Sequence, residues 1–326
     1  MVYIIQMKIW EESPDMRTGK LVILMLTVAV LSLCILGFAL ADVKPIPMDM
    51  LEHGTAPKAE GWIEPNKEYE DESIHLVLNE RRNYKSKTSD APTIIRWAEI
   101  EIKDPSQLRT ALSYDNFENK DLATAPEMVA YLNPVAAIND DYAKINNFKG
   151  YVIRQGEFYL DNLDEWKEEL KQDVLLIDDQ GDFSVVRKAS SADVQAFTAE
   201  LENGGRKVVN AFTFGPALVI NGEVQEIRGK DSTHEVILAT ARTAICQLDT
   251  LKYAVFAVDS KKNGIGINCT ELANFIVKTY PECKVAYNLD GGGSSRLFIG
   301  QKRVNTANGR REIYGMIYFA SAASED

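Results

Sequence analysis

The stretch Asn288-Leu289-Asp290-Gly291-Gly292-Gly293-Ser294-Ser295 lies between two apolar, strand-like segments and decides the fold. Three consecutive glycines inside a folded domain imply unusual backbone angles or a close approach of the backbone to another group. Asn288 and Asp290 alternate with apolar residues, so both are expected on one face at a strand end. The backbone N–H groups of Ser294 and Ser295 are suited to an anion-binding turn. A carboxylate beside such a turn indicates a functional site, although glycines alone are also compatible with a flexible hairpin turn.

The composition limits the class of protein and the kind of partner. The chain has 326 residues, a formal net charge of −12 and 45% hydrophobic residues. This content supports a full hydrophobic core, and the absence of a basic stripe in the sequence argues against a nucleic acid partner. An anionic substrate would therefore have to be bound by local arginines and backbone amides rather than by bulk charge.

The N-terminal segment has the pattern of an export signal. Residues 21–41 form an unbroken apolar run that ends in Ala39-Leu40-Ala41, and Arg17 and Lys20 precede it. This pattern is typical of a cleaved signal peptide, but the run is also long enough for an uncleaved membrane anchor. Met16 would begin a well-proportioned leader. Both interpretations place the bulk of the chain outside the cytoplasm, secreted or anchored to the membrane.

Composition changes along the chain predict three regions. We assign residues 1–41 to the leader, 42–70 to a stalk rich in Pro, Lys and Glu, and 71–326 to a single domain. Strand-like segments outnumber helical ones and hairpins are frequent, which favours an α+β fold with a mixed, largely antiparallel sheet and scattered helices. Short helices are predicted over 106–113 and 163–170.

The cysteines leave two interpretations open. Cys34 lies in the leader, and Cys246, Cys269 and Cys283 lie in the domain. In an exported protein Cys269 and Cys283 could form a disulfide across a predicted helix. Otherwise all three are buried thiols.

Several polar residues lie at the ends of apolar segments, where a site built on a sheet would collect them. Arg242 is surrounded by small and apolar residues, so its charge is expected either to pair with a buried carboxylate or to bind an anion. Asp259 precedes a polar turn and could be an ordinary turn residue. The other candidates of this kind are Asn139, Asp141, Asn288 and Asp290.

Taken in order, these residues resemble the phosphodiester glycosidase family over residues 93–319. The family motif is an apolar strand followed by Asn-Leu-Asp-Gly-Gly-Gly-Ser-Ser, a short hairpin, Val-Asn and a later Arg. Here it is similar to residues 288–295, Val304-Asn305 and Arg311. Upstream, residues 136–139, 215–219 and 242–245 also match the family pattern.

Three departures bear on the substrate. The family usually has Asn-Gly-Gly where this chain has Asn139-Asp140-Asp141, so two carboxylates replace two glycines. Cys246 replaces a glycine after Arg-Thr-Ala-Ile. Asp259-Ser260-Lys261 stands where the family has Asp-Gly-Arg.

The resemblance implies a hydrolase that cleaves the bond between the anomeric carbon of a sugar and a phosphodiester oxygen, leaving a phosphomonoester. Because phosphate is already a good leaving group, the reaction needs positive charge on the phosphate and a carboxylate more than a strong acid. The expected carboxylate is Asp290, as nucleophile or base, with Asp259 as the second candidate. Arg242 and Arg311 are expected to bind the phosphate.

The resemblance also implies a set of contacts to a phosphosugar or glycan. The asparagines would orient sugar hydroxyls or a divalent cation such as Ca²⁺ or Mg²⁺, which the sequence does not require. The alternative is a non-catalytic envelope or exopolysaccharide binding or assembly protein with the same fold, favoured by the acidic Asp140 and Asp141. The expected substrate contacts are Asn139, Asp141, Asn288, Gly291, Gly292, Gly293, Ser294, Ser295, Asn305 and Arg311.

Overall fold

The structure, a computed structural model, describes residues 43–87, 92–118, 121–141, 149–227, 234–260, 265–306 and 311–324. The leader predicted over 1–41 lies outside these residues. Within the described ranges, no helix is long and apolar enough to cross a membrane.

Nine antiparallel strands form the central sheet. Its spatial order is β1 (Trp62–Glu64), β2 (Glu68–Glu70), β3 (Ile74–Lys85), β4 (Pro92–Ile102), β15 (Lys252–Val258), β14 (Arg242–Asp249), β16 (Val285–Leu289), β12 (Ala217–Ile220) and β13 (Glu223–Val224). Several of its strands, including β14 and β16, are buried on both faces, as expected for strands covered on both sides.

Two five-stranded antiparallel sheets accompany the central sheet. One has the order β10 (Phe183–Val186), β9 (Val174–Asp178), β11 (Val208–Thr213), β7 (Tyr151–Arg154) and β8 (Glu157–Asp161). The other has the order β18 (Lys302–Arg303), β17 (Leu297–Ile299), β6 (Ala136–Asn139), β19 (Gly315–Phe319) and β5 (Leu108–Leu112).

Among the described residues, three α-helices cover the outer faces, and each begins at a capping box. They are α1 (Ala125–Leu132), α2 (Ser191–Asn203) and α3 (Cys269–Thr279). The main core lies between the central sheet and the two smaller sheets. Helix α3 packs on the opposite face of the central sheet, whereas α1 and α2 each pack on a smaller sheet. The predicted α+β fold with largely antiparallel sheets is confirmed.

The segment expected to be a stalk is instead part of the domain. Strands β1 and β2 extend the central sheet, and Ile46 and Met50 are buried. The fully buried guanidinium of Arg109 donates hydrogen bonds to the carbonyls of Pro47 and Asp49, at 3.0 and 2.8 Å. Ile46, Met50 and Tyr69 therefore anchor this segment to the domain, whereas Met48, Leu51 and Ile63 are exposed.

Two predicted helices are wrong. Residues 106–113 begin with a single 3₁₀ turn at Pro105–Gln107 and continue as β5, which is buried along its whole length and pairs with β19. Residues 163–170 form two separate 3₁₀ turns, because Leu163 is buried whereas Leu170 remains half exposed. In both segments tertiary contacts outweigh the local pattern.

The three cysteines of the domain are free and buried, as one of the two interpretations expected. The side chain of Cys246 forms a hydrogen bond with Cys283, and burial raises the pKa of the Cys246 thiol well above its usual value. The structure thus places Cys246, rather than Cys269, beside Cys283.

Candidate active site

Asn139 joins the central sheet to the sheet that contains β6. Its Oδ1 accepts hydrogen bonds from Thr243 Oγ1 and from the backbone N–H of Arg296, both at 2.9 Å. Its Nδ2 donates to the carbonyl of Asp290 at 2.7 Å. Both ends of this buried amide are therefore used to hold the Asp290 turn in place. We expected Asn139 to contact substrate, but the structure gives it a positioning role.

The first glycine of the triplet is required by close backbone packing against the loop before β14, and the second by its positive φ. A side chain at Gly291 would place its Cβ 2.5 Å from the carbonyl oxygen of Ala241. The N–H of Gly292 donates to the same carbonyl at 2.9 Å, and Gly292 has φ +54°. Only glycine fits at position 291 without displacing the backbone of Ala241. The backbone conformation of the turn from Asp290 to Ser294 is therefore constrained.

Asp290 and Arg311 face each other above this turn. The Arg311 Nη1 atom lies 3.9 Å from Asp290 Oδ2 and 3.4 Å from Ser294 Oγ. The side chain of Arg311 is 46% exposed, and that of Asp290 is 13% exposed. A partly accessible carboxylate and an accessible guanidinium are thus held at one place.

Two further arginines lie next to this pair. Arg296 Nη1 donates to the carbonyl of Gly293 at 2.7 Å, and Arg303 Nη2 donates to that of Ser295 at 3.3 Å. The pKa of Arg296 is lowered to about 10, first by burial and then by the charges of Arg303 and Arg311. Crowded guanidinium groups favour the arrival of an anion. Arg296 directly follows the Gly-Ser motif. Its position could have identified it as a site residue, but it was not among the residues expected at the site.

The serines and Asn305 shape the turn from inside the protein. Ser295 Oγ donates to the carbonyl of Arg242 at 3.0 Å. Asn305 Oδ1 accepts from the backbone N–H of Leu297 at 2.9 Å, and its Nδ2 donates to the carbonyl of Ser295 at 3.2 Å. Ser294 is buried, and its Oγ accepts a hydrogen bond from Arg311 Nη1 at 3.4 Å. Of the expected substrate contacts in this group, Ser294 alone reaches the Asp290–Arg311 pair through a recorded contact.

Arg242, which was expected at the phosphate, is buried and donates hydrogen bonds to backbone carbonyls. Its Nε donates to the carbonyl of Ile267 at 3.1 Å, and its Nη2 donates to that of Leu238 at 2.7 Å. The side chain is buried, and these bonds tie the segment before α3 to the start of β14. From the sequence, the charge of Arg242 was expected to pair with a buried carboxylate or to bind an anion. The hydrogen bonds from its Nε and Nη2 go to backbone carbonyls.

Asp259 belongs to a buried ion pair. Its Oδ2 lies 2.6 Å from Arg96 Nη1, and its Oδ1 accepts from the backbone N–H of Thr306 at 2.8 Å. The side chain is fully buried. Asp259 therefore anchors the segment after Asn305 to β4. Of the two candidate carboxylates, Asp290 is the one that is partly accessible.

The two carboxylates that replace family glycines share one buried arginine. Arg154 Nη2 lies 2.8 Å from Asp141 Oδ1 and 3.4 Å from Asp140 Oδ2, and its guanidinium stacks on Phe212 at 4.2 Å. Asp141 Oδ2 also accepts from the N–H of Thr213 at 3.0 Å. Asp141 was expected to contact substrate, but it is buried in this cluster. Arg154, hidden in an apolar strand, was missed.

Asp140 connects this cluster to Asp290. Its carbonyl accepts the backbone N–H of Asp290 at 3.3 Å. Burial, followed by the nearby charge of Asp141, raises the pKa of the Asp140 carboxyl well above its usual value. The cluster therefore supports the Asp290 turn from below.

The asparagine side-chain oxygens were expected to bind a cation if one is present. Those of Asn139 and Asn305 accept hydrogen bonds from protein groups. Asn288 Nδ2 donates to the carbonyl of Gly215 at 2.8 Å, whereas its buried Oδ1 has no hydrogen-bond partner among the described residues. Within the same residues, no group of three His, Cys, Asp or Glu side chains is arranged to bind a metal.

A sequence model of the phosphodiester glycosidase family matches residues 133–320, which is more than half of the chain. The chain belongs to the phosphodiester glycosidase family. The matched range contains Asn139, Arg242, the glycine turn, Asn305 and Arg311. No curated protein matches the chain significantly.

Three solved structures are similar to this chain. The catalytic domain of zebrafish N-acetylglucosamine-1-phosphodiester alpha-N-acetylglucosaminidase, auto-inhibited by its pro-peptide, is 19% identical, with a TM-score of 0.56 over 75% of this chain and 83% of that chain. A hypothetical protein from Synechocystis is 14% identical, with a TM-score of 0.49 over 76% and 62% of the two chains. A putative exported protein from Burkholderia pseudomallei is 14% identical, with a TM-score of 0.47 over 71% and 74%.

Proposed function

We propose that this protein is a hydrolase that cleaves a sugar-1-phosphodiester bond, releasing the sugar and leaving a phosphomonoester. The observation that carries the proposal is the Asp290–Arg311 pair above the glycine turn, with Oδ2 and Nη1 3.9 Å apart. The family supports this class of reaction, and the pair supplies the two groups that it needs.

In the proposed reaction, Arg311 binds the phosphate of the substrate. The bond between the anomeric carbon and the phosphate oxygen breaks, and its electron pair passes to the phosphate. The guanidinium of Arg311, with the buried charge of Arg296 behind it, stabilises the negative charge that develops there. Of the two arginines expected at the phosphate, this assignment keeps Arg311 and leaves out Arg242, whose guanidinium donates to carbonyls.

Asp290 acts at the anomeric carbon. As a nucleophile it would form a glycosyl ester that water hydrolyses, and the product would retain the anomeric configuration. As a base it would take a proton from water that attacks the opposite face, and the product would be inverted. The configuration of the released sugar, read by NMR immediately after turnover, distinguishes the two roles.

The primary test is incubation of the full chain with GlcNAc-1-phospho-methyl-mannose and with several related sugar-1-phosphodiesters. The proposal predicts equal amounts of free sugar and phosphomonoester. Release from none of them would favour the alternative, a non-catalytic glycan-binding protein. That alternative relied on acidic groups facing the substrate, but Asp140 and Asp141 are buried against Arg154.

The proposal includes export of the protein, which rests on the apolar run over residues 21–41. N-terminal sequencing of the protein recovered outside the cytoplasm tests it. A start just after Ala41 would indicate a cleaved signal peptide, an intact N-terminus would indicate an anchor, and recovery from the cytoplasm alone would contradict export.

A further inference from the structure

A second concave surface lies at the edge of the central sheet, outside the Asp290 site. It has a volume of about 240 Å³ and lies between the β1–β2 hairpin, the end of α1 and the turn joining β17 to β18. Its lining includes Trp62, Asn66, Asn133, Gly300 and Gln301, together with two prolines. Trp62 and Asn66 precede the range that matches the family, so this surface includes a part of the chain that the family pattern does not contain.

The indole ring of Trp62 is held in place from two sides. Its centroid lies 4.9 Å from that of Tyr69 at an angle of 60°, and Tyr69 is fixed by a 2.7 Å hydrogen bond from its hydroxyl to Asp71. A Cβ at Gly300 would lie 2.9 Å from Trp62 Cζ2, so glycine allows the turn to approach the ring. The indole is half-buried. A rigid, partly accessible aromatic ring costs little conformational entropy when it binds a ligand.

The polar groups around the ring are amides. Gln301 Nε2 donates to Asn133 Oδ1 at 2.9 Å and to the carbonyl of Val129 at 3.2 Å. This arrangement orients both side chains and leaves Gln301 Oε1 and Asn133 Nδ2 without a recorded partner among the described residues. Asn66, at the tip of the hairpin with φ +57°, adds a third amide. None of the described residues that line the cavity has an ionisable side chain.

These features select the chemical class of the ligand. A flat aromatic ring packs against the C–H face of a pyranose, and amide groups both donate hydrogen bonds to hydroxyls and accept them. The lack of charge at the lining disfavours an anionic ligand, in contrast to the arginines at the Asp290 site. We propose that this surface, the Trp62 site, binds a neutral sugar unit of a glycan.

The Trp62 site and the Asp290 site are connected through one hairpin. Gly300 and Gln301 form the turn between β17 and β18, whereas Ser295 and Asn305 lie at the other end of this hairpin. Gly300 follows Ser295 by five residue steps, which span at most about 17 Å of extended chain. The binding proposal itself does not depend on hydrolysis at Asp290.

The test is a titration of the full chain with methyl glycosides of glucose, mannose, galactose and N-acetylglucosamine, followed by saturation-transfer NMR. It uses a chain that carries Asp290→Asn and Arg311→Gln, so that binding at the Asp290 site does not contribute. We expect saturable binding of at least one glycoside. Trp62→Ala should weaken it at least tenfold, and Gln301→Ala should weaken it severalfold.

The matched control is Trp166→Ala, which removes an indole elsewhere on the domain and should leave the binding constant unchanged. Gln301→Ala keeps the test decisive if Trp62→Ala fails to fold. No saturable binding of any glycoside, or equal binding by the parent chain and both Trp62-site variants, would overturn the proposal. Hydrolysis by the unmodified chain is measured separately, so failure of either proposal is recognised independently of the other.

Discussion

The carboxylate of Asp290 and the guanidinium of Arg311 lie 3.9 Å apart at the mouth of a turn that is otherwise built from backbone contacts. Most polar side chains around this turn have buried partners that hold the backbone. Asn139 and Asn305 bond to main-chain groups, and Asp259 pairs with Arg96. The accessible pair is therefore where a substrate would meet charge.

Arg311→Gln should abolish most of the activity without unfolding the protein. Arg311 is 46% exposed, so its loss costs little packing. Removing a charged donor from a developing negative charge should lower kcat/KM about 100-fold or more. Steady-state kinetics on a sugar-1-phosphodiester measure this, and Arg81→Gln, an exposed arginine on β3, is the matched control. Equal kinetics for the two variants would remove Arg311 from the site.

Arg242→Met should behave in the opposite way. The substitution leaves the carbonyls of Leu238 and Ile267 without their buried guanidinium donor, which should lower the free energy of unfolding by about 2–4 kcal/mol. Turnover per folded molecule should remain within about threefold of the parent enzyme. Urea unfolding and kinetics on the same preparation separate these effects. Unchanged stability with lost turnover would instead restore Arg242 as a phosphate ligand.

Asp140→Asn should stabilise the protein at neutral pH. Burial and Asp141 raise the folded-state pKa of Asp140 above its unfolded value. The folded state thus keeps a proton that the unfolded chain releases, and the parent loses stability as the pH rises from about 4 toward that folded pKa. The variant does not titrate there. Its unfolding temperature should exceed that of the parent at about pH 7, and the difference should vanish near pH 4.

Asp141→Asn is the control for that prediction and should have the opposite sign at neutral pH. Asp141 bonds to both Arg154 and the backbone of Thr213, so neutralising it weakens a buried ion pair, by about 3 kcal/mol. Thermal unfolding measured across the pH range distinguishes the two carboxylates. Identical shifts for both variants at every pH would contradict the assignment of the extra proton to Asp140.

Removal of residues 1–70 should destabilise the domain, whereas removal of 1–42 should not. The longer deletion removes two sheet strands, the buried Ile46 and the carbonyls that accept hydrogen bonds from Arg109. Arg109 would then be buried with fewer partners, which is costly. Urea unfolding of the two truncated chains tests this. Equal stability would restore residues 43–70 to a stalk.

The glycine turn and the strands beside it were predictable because the signal is contiguous. Alternation placed Asp290 at a strand end, and the glycine triplet indicated close backbone packing, which Ala241 supplies. The family pattern added Arg311. In the sequence, a hairpin and residues 307–310 lie between the glycine turn and Arg311. These positions depend on local geometry that the motif itself encodes.

The partners of the buried charges could not be predicted in the same way. Arg96 and Asp259 pair across neighbouring strands far apart in sequence, and Arg154 lies in an apolar strand with no local sign of its two carboxylates. Strand β5 follows a helix-like start, yet its pairing with β19 decides its structure. Long-range contacts determine all three. The family resemblance placed Asp141, Arg242 and Asp259 at the substrate, and nothing local in the sequence showed their buried partners.

The most direct measurement compares Asp290→Asn with Asp259→Asn in the hydrolysis of a sugar-1-phosphodiester, with rates normalised to folded protein. Asp290 is the accessible carboxylate, so its loss should reduce turnover by about 1,000-fold or more with little change in stability. Asp259→Asn should lower the free energy of unfolding by about 3 kcal/mol, because it disrupts the pair with Arg96, while turnover by the folded fraction persists. Full turnover by Asp290→Asn, or its loss in folded Asp259→Asn alone, would contradict the central claim that Asp290 is the reacting carboxylate.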